Sequence, residues 1–453
     1  MELIRSISGI RGIIGVNFND TIASEYAKSF SSLQPQGPLL LGRDTRKKGL
    51  EIITKIKKDL ISLGRDVYDC DIAPTPIIQF LAKKLETSGA IMITASHNPE
   101  EWNGMKFIDC DGCFISQEKN EDLLYNIDNR IEPIKFNNNA KSRNTTNSIS
   151  LFIDALLKLN FINLEQIKRK KFKVVVDTVN GANYHLLPYF LKKLGCDVVE
   201  IFCNNSGSFD RNPEPLAENL NLLCKKVTKE KADLGLACDP DGDRLSIVDN
   251  LGSAIGEENT LVLCADSYYN ETNCKTPLIT NLSSSMCLDY IASKHNVPIL
   301  RSAIGEANVI ELMKKENAHF GGEGNGGVIL KDIHLGRDSL VATIMILNML
   351  AKNNISLDKV MSKIPKYYMI KEKTGASNFD ISKFYNHLSK THPGSKKDST
   401  DGLKLSWNDK WLHIRTSNTE PVIRIIAESS KLKTTQLLIS DTINRIKNYS
   451  IEN

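Results

Sequence analysis

Little in this 453-residue chain points to a membrane, an extracellular setting or a nucleic-acid partner. Its longest apolar stretch, around 340–350, is too short and too interrupted to cross a bilayer. The opening Met1-Glu2-Leu3-Ile4-Arg5 has no signal-peptide layout, so the expected compartment is the cytoplasm. Charge of one sign is lacking too. The net charge is only +4, with acids and bases interspersed, which leaves no electrostatic footprint for nucleic acid. The ten cysteines show no disulfide framework and suit reduced, mostly buried thiols. Cys110 and Cys113 form a C-x-x-C pair, yet no second pair or histidine follows at zinc-ligand spacing, and Asp111-Gly112 between them reads as a hairpin turn.

What is present is a pattern of strands alternating with helical segments over a length that suggests about three or more domains. Three stretches share a plan: an opening strand, helical segments such as 50–63, then a later strand that delivers an unusual loop. Residues 38–42 open the first unit and 90–93 deliver its loop; 173–176 and 234–238 do so in the second; 277–280 and 319–320 in the third. Such alternation argues for βαβ units with parallel or mixed sheets, whose ligands bind outside the strand carboxyl ends. The polar run 137–147 is expected to be a loop or linker, and further breaks fall near 252–256 and 364–373. The expected division is 1–150, 151–254, 255–365 and 366–453.

Four loops carry the chemistry. In Thr94-Ala95-Ser96-His97-Asn98-Pro99, Pro99 favours a shaped loop over a further helical turn, and Ser96 is a candidate nucleophile; a polar strand-end turn is the plainer reading. Asp239-Pro240-Asp241-Gly242-Asp243-Arg244 crowds three carboxylates into one turn, an arrangement that is costly without a cation. Oxygen-only ligands suit a hard ion such as Mg²⁺, and an EF-hand fits poorly because the glycine comes too early and Asn250 stands where the bidentate glutamate belongs. Gly321-Gly322-Glu323-Gly324-Asn325-Gly326-Gly327 lets backbone approach a ligand closely, with Glu323 able to accept two sugar hydroxyls; it matches neither a Walker loop nor a dinucleotide fingerprint. In Arg415-Thr416-Ser417-Asn418-Thr419-Glu420-Pro421, an arginine fork with hydroxyl and amide donors makes a phosphate clamp.

Together and in this order, with Ser6-Ile7-Ser8-Gly9-Ile10-Arg11-Gly12 near the start, these segments resemble the α-D-phosphohexomutase superfamily over nearly the whole chain. The resemblance implies three consecutive similar α/β domains with mixed sheets, a smaller C-terminal α+β domain and an active site in the central cleft. It implies transfer of phosphate between the 1 and 6 positions of a hexose through phosphoserine at Ser96 and a hexose 1,6-bisphosphate, which also serves as activator. Asp239, Asp241, Asp243 and a Ser96 phosphate oxygen would surround Mg²⁺. Lys106 and Arg11 are the implied acid/base candidates, with the Lys106 pKa lowered by metal and neighbouring cations, and His97 is a positioning donor. Substrate would meet Arg244, Glu323, Asn325, Arg415, Ser417, Asn418, Thr419 and Arg424.

Many members carry Glu-x-Ser-Gly in the sugar loop; the Glu-Gly-Asn-Gly-Gly form here is similar to a subset of phosphoglucosamine or phosphomannomutases. The family implies glucosamine, glucose or mannose phosphates, with glucosamine 6-phosphate favoured and phosphomannomutase/phosphoglucomutase activity as the alternative. A small phosphosugar is thus the expected partner, with no nucleic acid or membrane, and the chain is expected as monomer or homodimer. Two rivals remain at this stage. One is a haloacid-dehalogenase-like phosphatase using Asp239, because Asp-x-Asp-Gly after a strand imitates its nucleophile motif. The other is a sugar-phosphate-binding protein that has lost turnover.

Overall fold

The computed structural model describes residues 2–136, 139–375, 380–416 and 422–452. One four-stranded unit recurs three times. In the first, Leu39–Arg43 lies between Val67–Ile72 and Gly89–Ile93, parallel to both, and Trp102–Asp109 returns antiparallel. In the second, Lys173–Asp177 sits between Asp197–Ile201 and Leu234–Cys238, with Leu245–Val248 returning. In the third, Leu278–Asn281 sits between Ile299–Ser302 and Phe320–Glu323, with Gly327–Leu330 returning. The central strands are buried along their length, which is why they read as continuous apolar runs rather than alternating ones. Each chemistry-bearing loop is the turn between the third strand and the returning fourth, so the repeat presents all three at one equivalent corner.

The first sheet is extended to seven strands. Gly9–Ile13 pairs with Trp102–Asp109, and Ser142–Asn144 pairs in parallel with Val67–Ile72 at the opposite edge. That edge strand corrects the reading of 137–147 as loop alone. All three of its residues are exposed, so their polarity hid a strand whose order comes from backbone pairing rather than burial. Asn137 and Asn138 lie outside the described residues. The turn expected at Asp111-Gly112 is present, with Gly112 at φ +83° and its N–H donating to Asp109 O.

A continuous apolar core runs through the first three units, from Leu40 and Met92 through Val174 and Leu236 to Phe320 and Ile344. Its spine is the helix Ser339–Asn353, the apolar run noted in the sequence, buried on nearly every side. Asp338 caps it by accepting from Leu340 N and Val341 N. Among the described residues no helix is long and apolar enough to cross a membrane.

The C-terminal unit is an antiparallel sheet in the order Tyr368–Gly375, Val422–Ser429, Lys410–Thr416, Leu403–Ser406, Lys396–Asp398, with the helices Ile381–Thr391 and Leu432–Glu452. It has a separate core around Phe384, Leu412 and Ile425. Its seam with the third unit is polar. Buried Glu428 accepts from Ser285 Oγ at 2.6 Å, Met286 N at 2.7 Å and Trp411 Nε1 at 2.8 Å, and Lys371 reaches Glu257 and Glu258 at 3.0 Å each.

His413 completes the seam. Nε2–H donates to Asp401 O at 2.6 Å, and Nδ1 lies 2.8 Å from Ser283 Oγ, from which the neutral ring accepts. Burial lowers its pKa from 6.5 to about 4, against the pull of Asp401. The unfolded chain therefore binds a proton below about pH 6.5 that the folded chain refuses until about pH 4. Stability is full above this window and falls as pH drops through it, by about 3 kcal/mol in all. We expect thermal unfolding of His413→Gln, whose amide can both donate and accept, to show a shallower acid slope than wild type between these values. Equal slopes would contradict this reading.

Candidate active site

Ser96 stands at φ +50°, a left-handed conformation that a residue with a Cβ adopts only under local constraint. The constraint is Arg46. Its Nη1 donates to Pro99 O and Trp102 O, its Nη2 to Ser96 O and Asn98 O at 2.7 Å each, and its Nε to Asp44 Oδ2 at 3.0 Å. Asp44 in turn accepts from Thr94 Oγ1 at 2.6 Å. Arg46 and Asp44 are both buried, so a planar fork and its carboxylate pin the loop's carbonyls and hold the serine hydroxyl outward.

That hydroxyl meets the acidic loop across 143 residues of sequence: Ser96 Oγ lies 3.3 Å from Asp239 Oδ2 and 3.3 Å from His97 Nδ1. Gly242, at φ +71°, makes the turn that brings Asp239, Asp241 and Asp243 together, their ligand atoms within 4.8 Å of one another and all buried. Thr75 holds the loop from the first unit, donating its N–H to Asp241 O at 2.9 Å and its hydroxyl to Asp241 Oδ2 at 2.6 Å.

Lys106 Nζ donates to Asp241 Oδ2 at 2.6 Å and Asp243 Oδ2 at 3.2 Å. Burial opposes its charge, but the two aspartates overcome that and raise its pKa. The expected lowering depended on a bound metal as well as on neighbouring cations; without metal, the two carboxylates outweigh Arg337. Asp239 is pushed well up by burial and by its two acidic neighbours; Asp243, equally buried, is held low by Arg337, Lys106 and Arg244. His97 is pushed well below the usual histidine range by burial, Arg244 and Arg11, so its ring is neutral near pH 7.

The donor set fits a metal ion. Asp241 Oδ1 and Asp243 Oδ1 are buried with no hydrogen-bond partner, while the second oxygen of each carboxylate is held by Lys106. Arg244 Nε lies 3.7 Å from Asp243 Oδ1, too far for a hydrogen bond, so these two anionic oxygens beside Asp239 are under-compensated without a cation between them, and hard oxygen ligands suit a hard ion. These three carboxylates can hold a metal ion.

The sugar loop packs directly on the metal hairpin, with Leu245 N donating to Gly326 O at 3.0 Å. Gly326 has φ +88°, and a Cβ there would lie 2.4 Å from Leu245 O, so only glycine allows the approach. Glu323 is buried; its Oε1 accepts from Asn281 Nδ2 at 2.9 Å and Gly305 N at 3.0 Å. Asn325 Nδ2 is 3.4 Å from Glu323 Oε2, and its Oδ1 accepts from Gly327 N. In the last sheet Arg415 and Arg424 face each other across paired strands. Arg424 and Glu323 both act on the charge of Arg415, and Arg244 and Arg424 on that of Arg11, so this arginine pair borders the same cleft. Ser417, Asn418 and Thr419 lie outside the described residues.

The chain matches the three α/β domains of phosphoglucomutase/phosphomannomutase over residues 3–134, 150–252 and 257–368. It is 36% identical over 433 residues to "Phosphoglucomutase/phosphomannomutase" of Thermococcus kodakarensis, covering 93% of each chain. It belongs to this family. A "Phosphoglucosamine/phosphogalactosamine mutase" of Sulfurisphaera tokodaii is 30% identical over 96% of each chain. The crystal structure of a phosphoglucomutase/phosphomannomutase family protein from Burkholderia thailandensis superposes with a TM-score of 0.85 at 25% identity, over 98% of both chains. Family membership along the whole chain sets aside the dehalogenase-like alternative, in which Asp239 would be the nucleophile.

Sequence reasoning missed Arg46, Asp44, Thr75 and Arg337. Arg337 donates to Asp243 Oδ2 at 2.6 Å and to Glu323 Oε2 at 2.7 Å. The available signal was an arginine at the end of the strand His334–Arg337, directly before the helix-capping Asp338.

Proposed function

We propose that this phosphohexomutase acts foremost on glucosamine phosphates, interconverting the 6-phosphate and the 1-phosphate through a phosphoserine at Ser96 and a bound 1,6-bisphosphate. The observation that carries the reading is the Ser96 hydroxyl 3.3 Å from Asp239, beside two buried carboxylate oxygens that accept no hydrogen bond. Asp239, Asp241 and Asp243 would hold Mg²⁺, and the ion when bound would offset charge on the transferring phosphoryl group.

Ser96 Oγ carries the phosphoryl group and gives it to the free hydroxyl of the sugar, which loses a proton as the serine gains one. Lys106, protonated between two aspartates, is the candidate relay: it hands a proton to the serine oxygen and takes up the one released by the sugar hydroxyl, with the two transfers exchanged when phosphate returns. Neutral His97 keeps the serine oxygen oriented through Nδ1. Arg11, Arg244, Arg415 and Arg424, with Ser417, Asn418 and Thr419, hold the phosphate that is not reacting. Glu323 and Asn325 meet the ring hydroxyls, and they meet equivalent ones after the bisphosphate turns over. A bisphosphate from solution would recharge Ser96 if the intermediate escapes, which is the activator's role.

The amino-sugar preference is supported by the Sulfurisphaera tokodaii relative, a phosphoglucosamine/phosphogalactosamine mutase. The cavity of about 230 Å³ beside Asn325 is bordered by Glu214 and Glu257 but equally by Lys371 and Arg424, so its charge is balanced. Comparison of kcat/KM for glucosamine, glucose and mannose 6-phosphates is the test. We expect glucosamine 6-phosphate to lead by roughly tenfold or more; a lead for glucose or mannose would move the assignment to the other branch of the family.

A further inference from the structure

Arg337 joins two loops that approach the sugar from different domains. Its guanidinium spans Asp243 Oδ2 at 2.6 Å and Glu323 Oε2 at 2.7 Å, and Nε lies 2.9 Å from Glu306 Oε2. The side chain runs across Gly327, where a Cβ would come within 2.2 Å of Arg337 Cδ, so the sugar loop itself leaves its groove. One buried cation therefore serves a metal-loop carboxylate and a sugar-loop carboxylate at once. Glu323 is already engaged through Oε1 by Asn281 and Gly305. A sugar hydroxyl that takes Oε2 must consequently compete with Arg337.

We propose that Arg337 is a positioning residue that carries charge between the two loops: when a sugar engages Glu323, the guanidinium shifts its charge onto Asp243 and thus towards the phosphoryl group. The proposal rests on the reading of Asp239, Asp241 and Asp243 as a magnesium site. In the free protein the charge of Arg337 is divided between the loops. Loss of its Glu323 partner leaves that charge to Asp243 and Glu306, and the share that falls to Asp243 strengthens cationic stabilisation of the transferring group and weakens the hold on the metal. Planar geometry matters, because Nη1 and Nη2 are held at a fixed spacing and direction towards carboxylates on two different loops, a spacing that a single ammonium nitrogen does not reproduce.

The test is a double-mutant cycle read on Mg²⁺ affinity by calorimetry, without substrate. Glu323→Gln imitates an engaged Glu323, since the amide keeps the shape and withdraws the negative charge from Arg337. We expect Glu323→Gln to weaken Mg²⁺ binding roughly five- to tenfold in the wild-type background and less than about twofold in Arg337→Met. Arg337→Lys keeps the charge and guards against loss of fold in Arg337→Met; it too should abolish the coupling. Unchanged Mg²⁺ affinity in Glu323→Gln, or an equal effect with Arg337 replaced by either residue, would overturn the proposal. Failure of the wild-type protein to bind Mg²⁺ would instead refute the metal reading beneath it.

Discussion

Ser96→Ala should lower mutase turnover by on the order of 10⁴-fold or more while leaving thermal stability close to that of wild type. The size of the loss follows from removing the only atom of that side chain able to carry phosphate, because binding and alignment alone leave small residual rates. The small stability cost follows from the contacts: the hydroxyl makes two long interactions of 3.3 Å each, whereas the loop itself is held by Arg46 through backbone carbonyls that alanine retains. The variant's backbone would still have to sit at positive φ there, a cost that Ser96 already bears. Steady-state assay with hexose 1,6-bisphosphate present, together with mass spectrometry of the peptide containing residue 96, checks both halves. Turnover near wild type in the variant would remove Ser96 from the chemistry.

Lys106→Met should have the largest effect on stability, and the sign of its metal dependence is diagnostic. Without metal, the substitution leaves Asp241 and Asp243 buried with one cation fewer, and breaking a buried pair in this way costs about 3–5 kcal/mol. Arg337 still serves Asp243, but Asp241 keeps only the Thr75 hydroxyl on its Oδ2. Added Mg²⁺ binds the folded form alone and should recover most of that loss, so the melting temperature of the variant should rise with Mg²⁺ much more than that of wild type. Turnover should remain down by roughly 10²–10⁴-fold even at saturating metal, as befits loss of an acid at the serine oxygen. A variant that melts like wild type in metal-free buffer would show that the ion pairs do not bear on folding.

The three repeated units and their loops were legible because each loop is punctuated by glycine, proline and charge directly after a buried strand. Such breaks need no tertiary information to be seen. The edge strand Ser142–Asn144 was not legible, since a fully exposed strand has no apolar periodicity to display. Nor were the residues that hold the site in shape. Arg46 pins Ser96 across 50 residues and Arg337 grips Asp243 across 94, and in the sequence each looks like any other surface cation. Lys106 was expected in the cleft with its pKa lowered by metal and neighbouring cations; without metal, the field at Nζ depends on which carboxylate oxygens it touches. Distances of 2.6 and 3.2 Å decide that, and no spacing rule supplies them.

The first three units share an interior, whereas the fourth is joined to them by hydrogen bonds and ion pairs such as those of Glu428 and Lys371. Water can replace such partners one for one as the join parts, while prising open the common interior would wet oily surface. The fourth unit, which carries Arg415 and Arg424, is consequently the one whose parting from the rest would expose the least oily surface. Any displacement of it is limited by exchange of polar partners with solvent rather than by unpacking.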